Sequence, residues 1–264
     1  MDLSAIKSKL GALQTQKQGG QKRDLSQTIW KPTVGKHTVR IVPSVFNKSI
    51  PFKEVFMHYG IGNRSMIALT NFDEKDPIVE FAKQLRQTSD KENWSMAKKL
   101  EPKMRVFAPV VVRGEEEKGV RLWEFGKQVY MELLSIAEDE DVGDYTDPVQ
   151  GRDITIETTG PETNGTNFNQ SKVRVRTKTT PLSEDANEVK KWLNEQPNPL
   201  TIFKKHPYDD MKTALLEWLN PEQATETAED TVAEAPKQEA PKQSSYALNT
   251  KKKTTDEEFD DLFK

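Results

Sequence analysis

Residues 104–126 read MRVFAPVVVRGEEEKGVRLWEFG. Two β-branched and aromatic runs, MRVFAPVVVR (104–113) and GVRLWEFG (119–126), flank the charged loop GEEEK (114–118), the pattern of two strands joined by a turn. Working outward, KHTVRIVPS (36–44) alternates and stops at Pro43, so it reads as a strand. FKEVFMHY (52–59) and RSMIALT (64–70) form a further pair across the Gly/Asn turn GIGN. RDITIETTG (152–160) and KVRVRTKT (172–179) form a last hairpin around the polar loop PETNGTNFNQS. Helical periodicity appears in DPIVEFAKQLRQ (76–87), with Asp76 as cap and Pro77 in the first turn, and in FGKQVYMELLSIA (125–137), with Val129, Leu133 and Ile136 inward. EDANEVKKWLNEQ (184–196) and YDDMKTALLEWLN (208–220) add two more helices. About seven short strands with helices between and after them do not make the strict alternation of a doubly wound sheet. The expected class is mainly β with added helices: an elaborated five-stranded barrel of the oligonucleotide-binding (OB-fold) type, partly open, plus a small helical subdomain.

The ends of the 264-residue chain read differently. Leu3, Ile6, Leu10 and Leu13 recur at helical spacing, and TQKQGGQKRD (15–24) then breaks the pattern. Residues 1–22 are therefore expected to be a flexible arm, residues 23–221 the core, and residues 222–264 a disordered linker and tail rich in Ala, Thr, Glu, Lys, Pro and Gln. The net charge of −3 hides an asymmetry: residues 1–113 carry +10, residues 114–221 carry −8 and residues 222–264 carry −5. A basic front half and an acidic tail point to an anionic ligand and to an imitation of it on the same chain. The tip TTDEEFDDLFK (254–264) sets two Phe and a Leu among five carboxylates. Asp256, Glu257, Glu258, Phe259, Asp260, Asp261, Leu262 and Phe263 are candidates for docking partner proteins.

The absence of cysteine excludes disulfides and thiolate metal sites. No apolar run is long enough to span a bilayer, and the first residues lack the apolar stretch of a signal peptide, so a cytoplasmic protein without membrane contact is expected. The phosphate-loop, dinucleotide, nucleophile-elbow and zinc-protease motifs do not occur. With three scattered histidines and no thiol, an enzyme is not expected, nor is a cofactor or a bound metal. The acidic run EDEDVGDYTD (138–147) lacks the ligand spacing of a calcium loop and reads as a surface turn.

Basic and aromatic residues interleave on the strands. Lys36, Arg40, Lys53, Tyr59 and Arg64 lie on the first three, and Lys103, Arg105, Arg113, Arg121, Trp123 and Lys127 on or next to the following two. Lys172, Arg174 and Arg176, with Lys178, mark one face of the last strand, with Val173 and Val175 on the other. Phe168 is the one large apolar side chain in its polar loop. Cations that neutralise phosphates and rings that stack on bases are the chemistry of single-strand binding, stacking adding about 1–3 kcal/mol per base. The expected site is one cationic channel floored by flat side chains, in which strand arginines act as ligand groups rather than ion pairs. Strand aromatics are more often core, which is the competing reading for Phe56, Phe107 and Phe125 and an even one for Trp123. The alternative at the level of function is a protein-interaction scaffold with an incidental basic surface.

The order of VRIVPS (39–44), HYG (58–60), VFAPVVVR (106–113), LWEFGKQVY (122–130), NFNQSK (167–172) and DEEFDDLFK (256–264) resembles the single-stranded DNA-binding, helix-destabilising proteins of T-even-type bacteriophages, over essentially the whole chain. The resemblance implies an OB-fold core with an added subdomain. It also implies a basic arm that joins neighbours along the DNA, and an acidic tail that recruits replication and recombination proteins of the infected bacterial cell and competes with DNA. By position, Lys7, Ser8 and Lys9 match the arm's basic-and-hydroxyl motif, Arg40 an arginine near the DNA cleft, and Trp123 and Phe168 tyrosines that face bases. Well-known members hold a structural zinc through one His and three Cys. Here His58 matches the His, but Asp76-Pro77-Ile78-Val79 stands where the Cys-Pro-x-Cys pair would be, so that zinc site cannot form. Packing of Ile78, Val79, Phe81 and Leu85 is expected to hold the subdomain instead.

Overall fold

The structure, a computed structural model, describes Leu25 and residues 27–62 and 64–220. The expected arm at 1–22 and the linker and tail at 222–264 lie outside the described residues.

Eight strands form one mixed sheet: β1 (Ile29–Trp30), β2 (Gly35–Ile41), β3 (Lys53–Ile61), β4 (Arg64–Ile67), β5 (Lys103–Val112), β6 (Arg121–Phe125), β7 (Arg152–Thr159) and β8 (Gln170–Thr179). The order is β1-β6-β5-β2-β7-β8, with the β3–β4 hairpin joined to β5. The expected 104–126 hairpin is present, pairing Val106 with Phe125 and Val110 with Arg121. On its other edge β5 is shared. Lys103–Phe107 pair with β3, and Val110–Val112 pair with β2. Pro109 sits where β5 changes partner; it has no N–H to give, and its carbonyl accepts the Val42 N–H at 2.8 Å. Two-residue β1, parallel to β6, was not legible in the sequence, because a strand so short has no periodicity.

One face of this sheet closes on a single core. Trp30, Val39, Ile41, Val106, Ala108, Val110, Trp123, Ile154, Ile156 and Val173 bury together, capped by Val129, Tyr130 and Leu133 of α3 (Lys127–Ala137). Strands β1, β2 and β5 to β8 thus wrap one interior, while β3 and β4 bury Val55, Met57 and Ile67 in a neighbouring cluster, a mainly β architecture as expected from the patterning. Fully burying side chains of this size stabilises by roughly 1.5–3 kcal/mol each.

The added helical part has its own core. α1 (Pro77–Gln87) begins at Asp76, whose carboxylate caps the Ile78 and Val79 amides, and it buries Ile78, Phe81, Ala82 and Leu85. These pack on Met96, Ala97 and Leu100 of α2 (Lys91–Leu100) and on Met211, Ala214 and Leu215 of α6 (Tyr208–Leu219). The sequence reading passed over α2, although Asp90 caps it and Met96, Ala97 and Leu100 share one face. Of the four residues expected to hold this part, Ile78, Phe81 and Leu85 do so. Val79 stays half-buried outside the cluster.

A buried ion pair was not anticipated. His58 Nε2 lies 3.1 Å from Asp76 Oδ2, both side chains being fully buried, and Nδ1 lies 3.1 Å from the Leu100 carbonyl. That carbonyl only accepts, so Nδ1 donates. Asp76 Oδ2 also accepts the Leu69 N–H at 2.8 Å, and Oδ1 accepts Ile78 and Val79. Burial pushes the Asp76 carboxyl up, but the His58 hydrogen bond and charge and the backbone donors outweigh it and hold it below the usual carboxylate range. Both oxygens are committed and no thiol is present, so these residues do not fit a tetrahedral zinc. Among the described residues no group of three or more His, Asp or Glu could hold a metal ion.

Two shorter segments cover the sheet's other face. Beyond the one-turn α4 (Pro161–Asn164) at the β7–β8 connection, α5 (Ala186–Asn194) lays Trp192 over Val42 and Val111, and Leu200, Ile202 and Phe203 cover Phe107, Leu122 and Val55. The acidic 138–147 run is a series of turns in which Asp139 and Asp144 cap nearby backbone amides, as an acidic surface turn should. Among the described residues no helix is long and apolar enough to cross a membrane.

Candidate nucleic-acid interface

Side-chain parity along β5 decides where the cations go. Even-numbered residues enter the core, so Lys103, Arg105, Phe107, Pro109, Val111 and Arg113 share the outer face. Phe107 and Val111 are covered by the segments just described. The cations are therefore divided into two groups. Arg105 and Arg113, eight residues apart, are separated by roughly 27 Å of strand. The single continuous channel expected from the sequence is corrected to two basic surfaces with an apolar strap between them.

The first surface lies at the β3–β5 end. Arg105 stacks its guanidinium 5.6 Å from the centroid of the Tyr59 ring, which is 38% exposed, and its Nε approaches the Tyr59 hydroxyl at 3.4 Å. Glu124 anchors this arrangement, 2.7 Å from Lys31 Nζ and 3.7 Å from Arg105 Nε. Tyr59 and Glu124 line a cleft of about 520 Å³ with Trp30, Lys31, Ser65 and Phe203. Gly126 lies beside the Arg105 guanidinium, where an added Cβ would be 3.7 Å from Nη1, and exposed Lys127 follows it at the start of α3. Exposed Arg64 and Lys103 complete the group, while exposed Lys53 lies at the far end of β3, six residues or roughly 20 Å from Tyr59. Lys103 Nζ donates to the Lys98 carbonyl at 3.2 Å and so links the group to α2. One turn earlier on α2 stands Trp94, 50% exposed, with the Arg86 guanidinium 4.4 Å from its ring centroid and Lys91 and Lys98 alongside. Trp94 is a half-exposed ring among cations that the sequence reading missed. Its signal was available: an indole in the polar run KENWSMAKK.

The second surface is the outer face of β2, β7 and β8. Lys36, Glu157 and Lys172 are cross-strand neighbours, as are Thr38, Thr155 and Arg174. Arg176 bends back to Thr155 Oγ1 at 3.4 Å and Thr38 Oγ1 at 3.1 Å. Val173 faces the core and Val175 packs against it, as the alternation required. At the hairpin tip, Asn164 Nδ2 and Thr166 Oγ1 donate to the Phe168 carbonyl at 2.9 and 2.8 Å. The ring itself is 64% exposed, so Phe168 combines a fixed backbone with a free face.

Four expected ligand groups are corrected. Trp123 is only 1% exposed, edge-on to Trp30 in the core at a 6.2 Å centroid separation, and no base can reach it. Arg40 is fully buried. It donates to Asp153 Oδ1 at 3.2 Å, to Thr180 Oγ1 at 3.1 Å and to the Asp147 and Thr180 carbonyls. Burial lowers its pKa, the Asp153 charge opposes that, and the charge of Arg113 adds to it. Arg113 forks onto both oxygens of Asp153 and the carbonyls of Pro181 and Leu182, so it ties β5 to the chain leading into α5. Arg121, nearly buried, holds Glu115 at 2.5 Å, and with Lys118 it keeps that carboxyl below its ordinary range. Lys36, Lys53, Arg64, Lys103, Lys127, Lys172, Arg174 and Arg176, by contrast, make no ion pair among the described residues. Lys7, Ser8, Lys9 and the 256–263 docking residues lie outside the described residues.

A family model described as gp32 DNA binding protein like matches residues 33–217. This chain belongs to that family. The matched span runs from just before β2 to near the end of α6, so it takes in both basic surfaces and the helical part. The resemblance to the phage single-strand-binding proteins read from the sequence is borne out, and DNA binding comes with membership of a gp32-like family. A comparison with curated proteins finds no match.

Proposed function

We propose that the protein is a non-catalytic binder of single-stranded DNA that coats unpaired strands without reading their sequence. One observation carries this: each basic surface holds an exposed ring, Tyr59 under Arg105 in the first and Phe168, its backbone held at the tip of the hairpin that carries Lys172 and Arg174, in the second. Cations neutralise phosphates while rings stack on bases of any identity, which gives affinity without base-edge readout. Two surfaces rather than one imply a strand that crosses the strap or bends around it.

The finer parts of the proposal rest on the sequence of the ends. Residues 1–22, with Lys7, Ser8 and Lys9, join one protomer to the next along the strand and make binding cooperative. The acidic tip recruits proteins of phage replication, recombination and repair, with Phe259, Leu262 and Phe263 as apolar anchors, and it competes with DNA for the basic surfaces.

Filter binding of a labelled single strand at two salt concentrations tests the core of this reading. A steep loss with salt is expected, because bound phosphates release counterions. Absence of binding at low salt would favour the scaffold alternative. Removing residues 1–22 should lower affinity for long strands far more than for short ones. Removing 254–264 should raise affinity for short strands at low salt.

A further inference from the structure

Between β2 and β3 the loop 43–51 exposes Val45, Phe46 and Ile50, and Phe46 is 50% exposed. Among the described residues Phe46 belongs to none of the core clusters. The ring lines a groove of about 230 Å³. Pro197 and Asn198 form the opposite wall, and Phe107, Pro109 and Leu122 lie at the base. Among the described residues no carboxylate lines the groove, and Lys53, the cross-strand neighbour of Phe107, lies along it. Pockets for drug-sized ligands start near 300 Å³, so this one suits a single ring system.

Both walls are fixed. The Gln196 amide bridges them, donating to the Pro43 carbonyl at 2.8 Å and accepting the Val45 N–H at 3.1 Å. Ser44 Oγ accepts the Phe46 N–H at 3.2 Å, and Asn47 Oδ1 accepts the Ser49 N–H at 3.0 Å. Asn198 Oδ1 accepts the Leu200 N–H at 2.9 Å. The Nδ2 groups of Asn47 and Asn198 have no hydrogen-bond acceptor among the described residues, so the groove presents donors, a flat apolar face and a cation.

We infer that this groove takes one unstacked base of the bound strand, with Phe46 as the stacking ring and Lys53 on the neighbouring phosphate. The inference rests on the proposed single-strand function and adds a contact to it. Lys53 shares the outer face of β3 with Tyr59, six residues along, or roughly 20 Å. The groove and the Tyr59 cleft flank the same 198–203 segment, Leu200 lining one and Phe203 the other. A strand that crosses this segment reaches both.

The test uses the full chain and two ligands of equal length, oligo-dT and the same backbone without bases. Phe46→Ala should weaken oligo-dT binding about fivefold or more and leave the abasic strand unaffected, with the salt slope unchanged. Phe46→Tyr should restore oligo-dT binding. Lys53→Ala should weaken both ligands and lower the slope by about one. Because the Phe46 ring is half exposed, the Ala variant should melt with wild type, and a matching thermal transition checks that. Wild-type binding with Phe46→Ala indistinguishable on oligo-dT overturns the groove alone. Equal losses on both strands also overturn it, since they signal a disturbed loop. A wild-type protein that binds neither strand overturns the single-strand reading as well.

Discussion

Replacing Asp76 by Ala should be the most damaging single change in the helical part. It removes the cap of α1, worth about 1 kcal/mol. It also strands His58, a buried ring whose Nε2 has no other partner among the described residues, and leaves the Leu69 N–H without its acceptor. Breaking a buried pair from one side costs about 3–5 kcal/mol, and since the cap and the pair share one carboxylate the total stays near that range. For a folded part of this size each kcal/mol moves the midpoint by about 2–4 °C, so a drop of about 6–20 °C is expected in a circular-dichroism melt at neutral pH. The double change His58→Leu with Asp76→Ser keeps a capping oxygen and removes the stranded ring, and it should recover more than half of the loss. The pH dependence has a definite sign. The Asp76 carboxyl is held below its ordinary value of 3.8, so its contribution is present above that pH and is lost as pH falls through the folded-state value. Wild type should therefore lose stability more steeply below about pH 4 than Asp76→Ala does. A variant melting within about 2 °C of wild type would refute the assignment of the pair as the keystone of this part.

Four further outcomes follow from the surface. Trp30, Trp123 and Trp192 are buried, Trp218 is partly buried against the helical core and Trp94 is half exposed, so fluorescence quenching by oligo-dT should survive Trp123→Phe and fall most in Trp94→Phe. Arg174→Ala should lower the slope of log affinity against log salt by about one, whereas Arg40→Met should act on the melting temperature first, since its charge never meets solvent. Phe168→Ala should cost about 1–3 kcal/mol of affinity in a fluorescence titration with no change in melting, because its ring makes no core contact. Asp153→Ala should destabilise by about 3–5 kcal/mol in a denaturant titration, leaving Arg40 buried without its carboxylate.

Local chemistry wrote much of this fold into the sequence. The 104–126 hairpin, the capped start of α1 and the Val173/Val175 alternation depend on residues a few positions apart, and each is seen in the structure where the pattern put it. Phe168 stood out for the same reason: a lone ring in a polar loop has nothing nearby to cover it. The fates of Trp123, Arg40, Arg113 and Arg121 lay beyond such reasoning. In RLWEF both parities carry apolar side chains, and only the pairing of Trp123 with Ala108 turns the indole inward. Arg40 sits on the outer face, in line with Lys36 as parity requires. It is nevertheless buried, because the chain around Thr180, 140 residues later, folds over it and supplies its acceptors. The His58–Asp76 pair likewise joins residues 18 apart through a strand and a helix cap. Periodicity assigns a side chain to a face of its own element. Whether that face meets water, a carboxylate or another layer of protein is set by distant chain, and tertiary packing alone decides it.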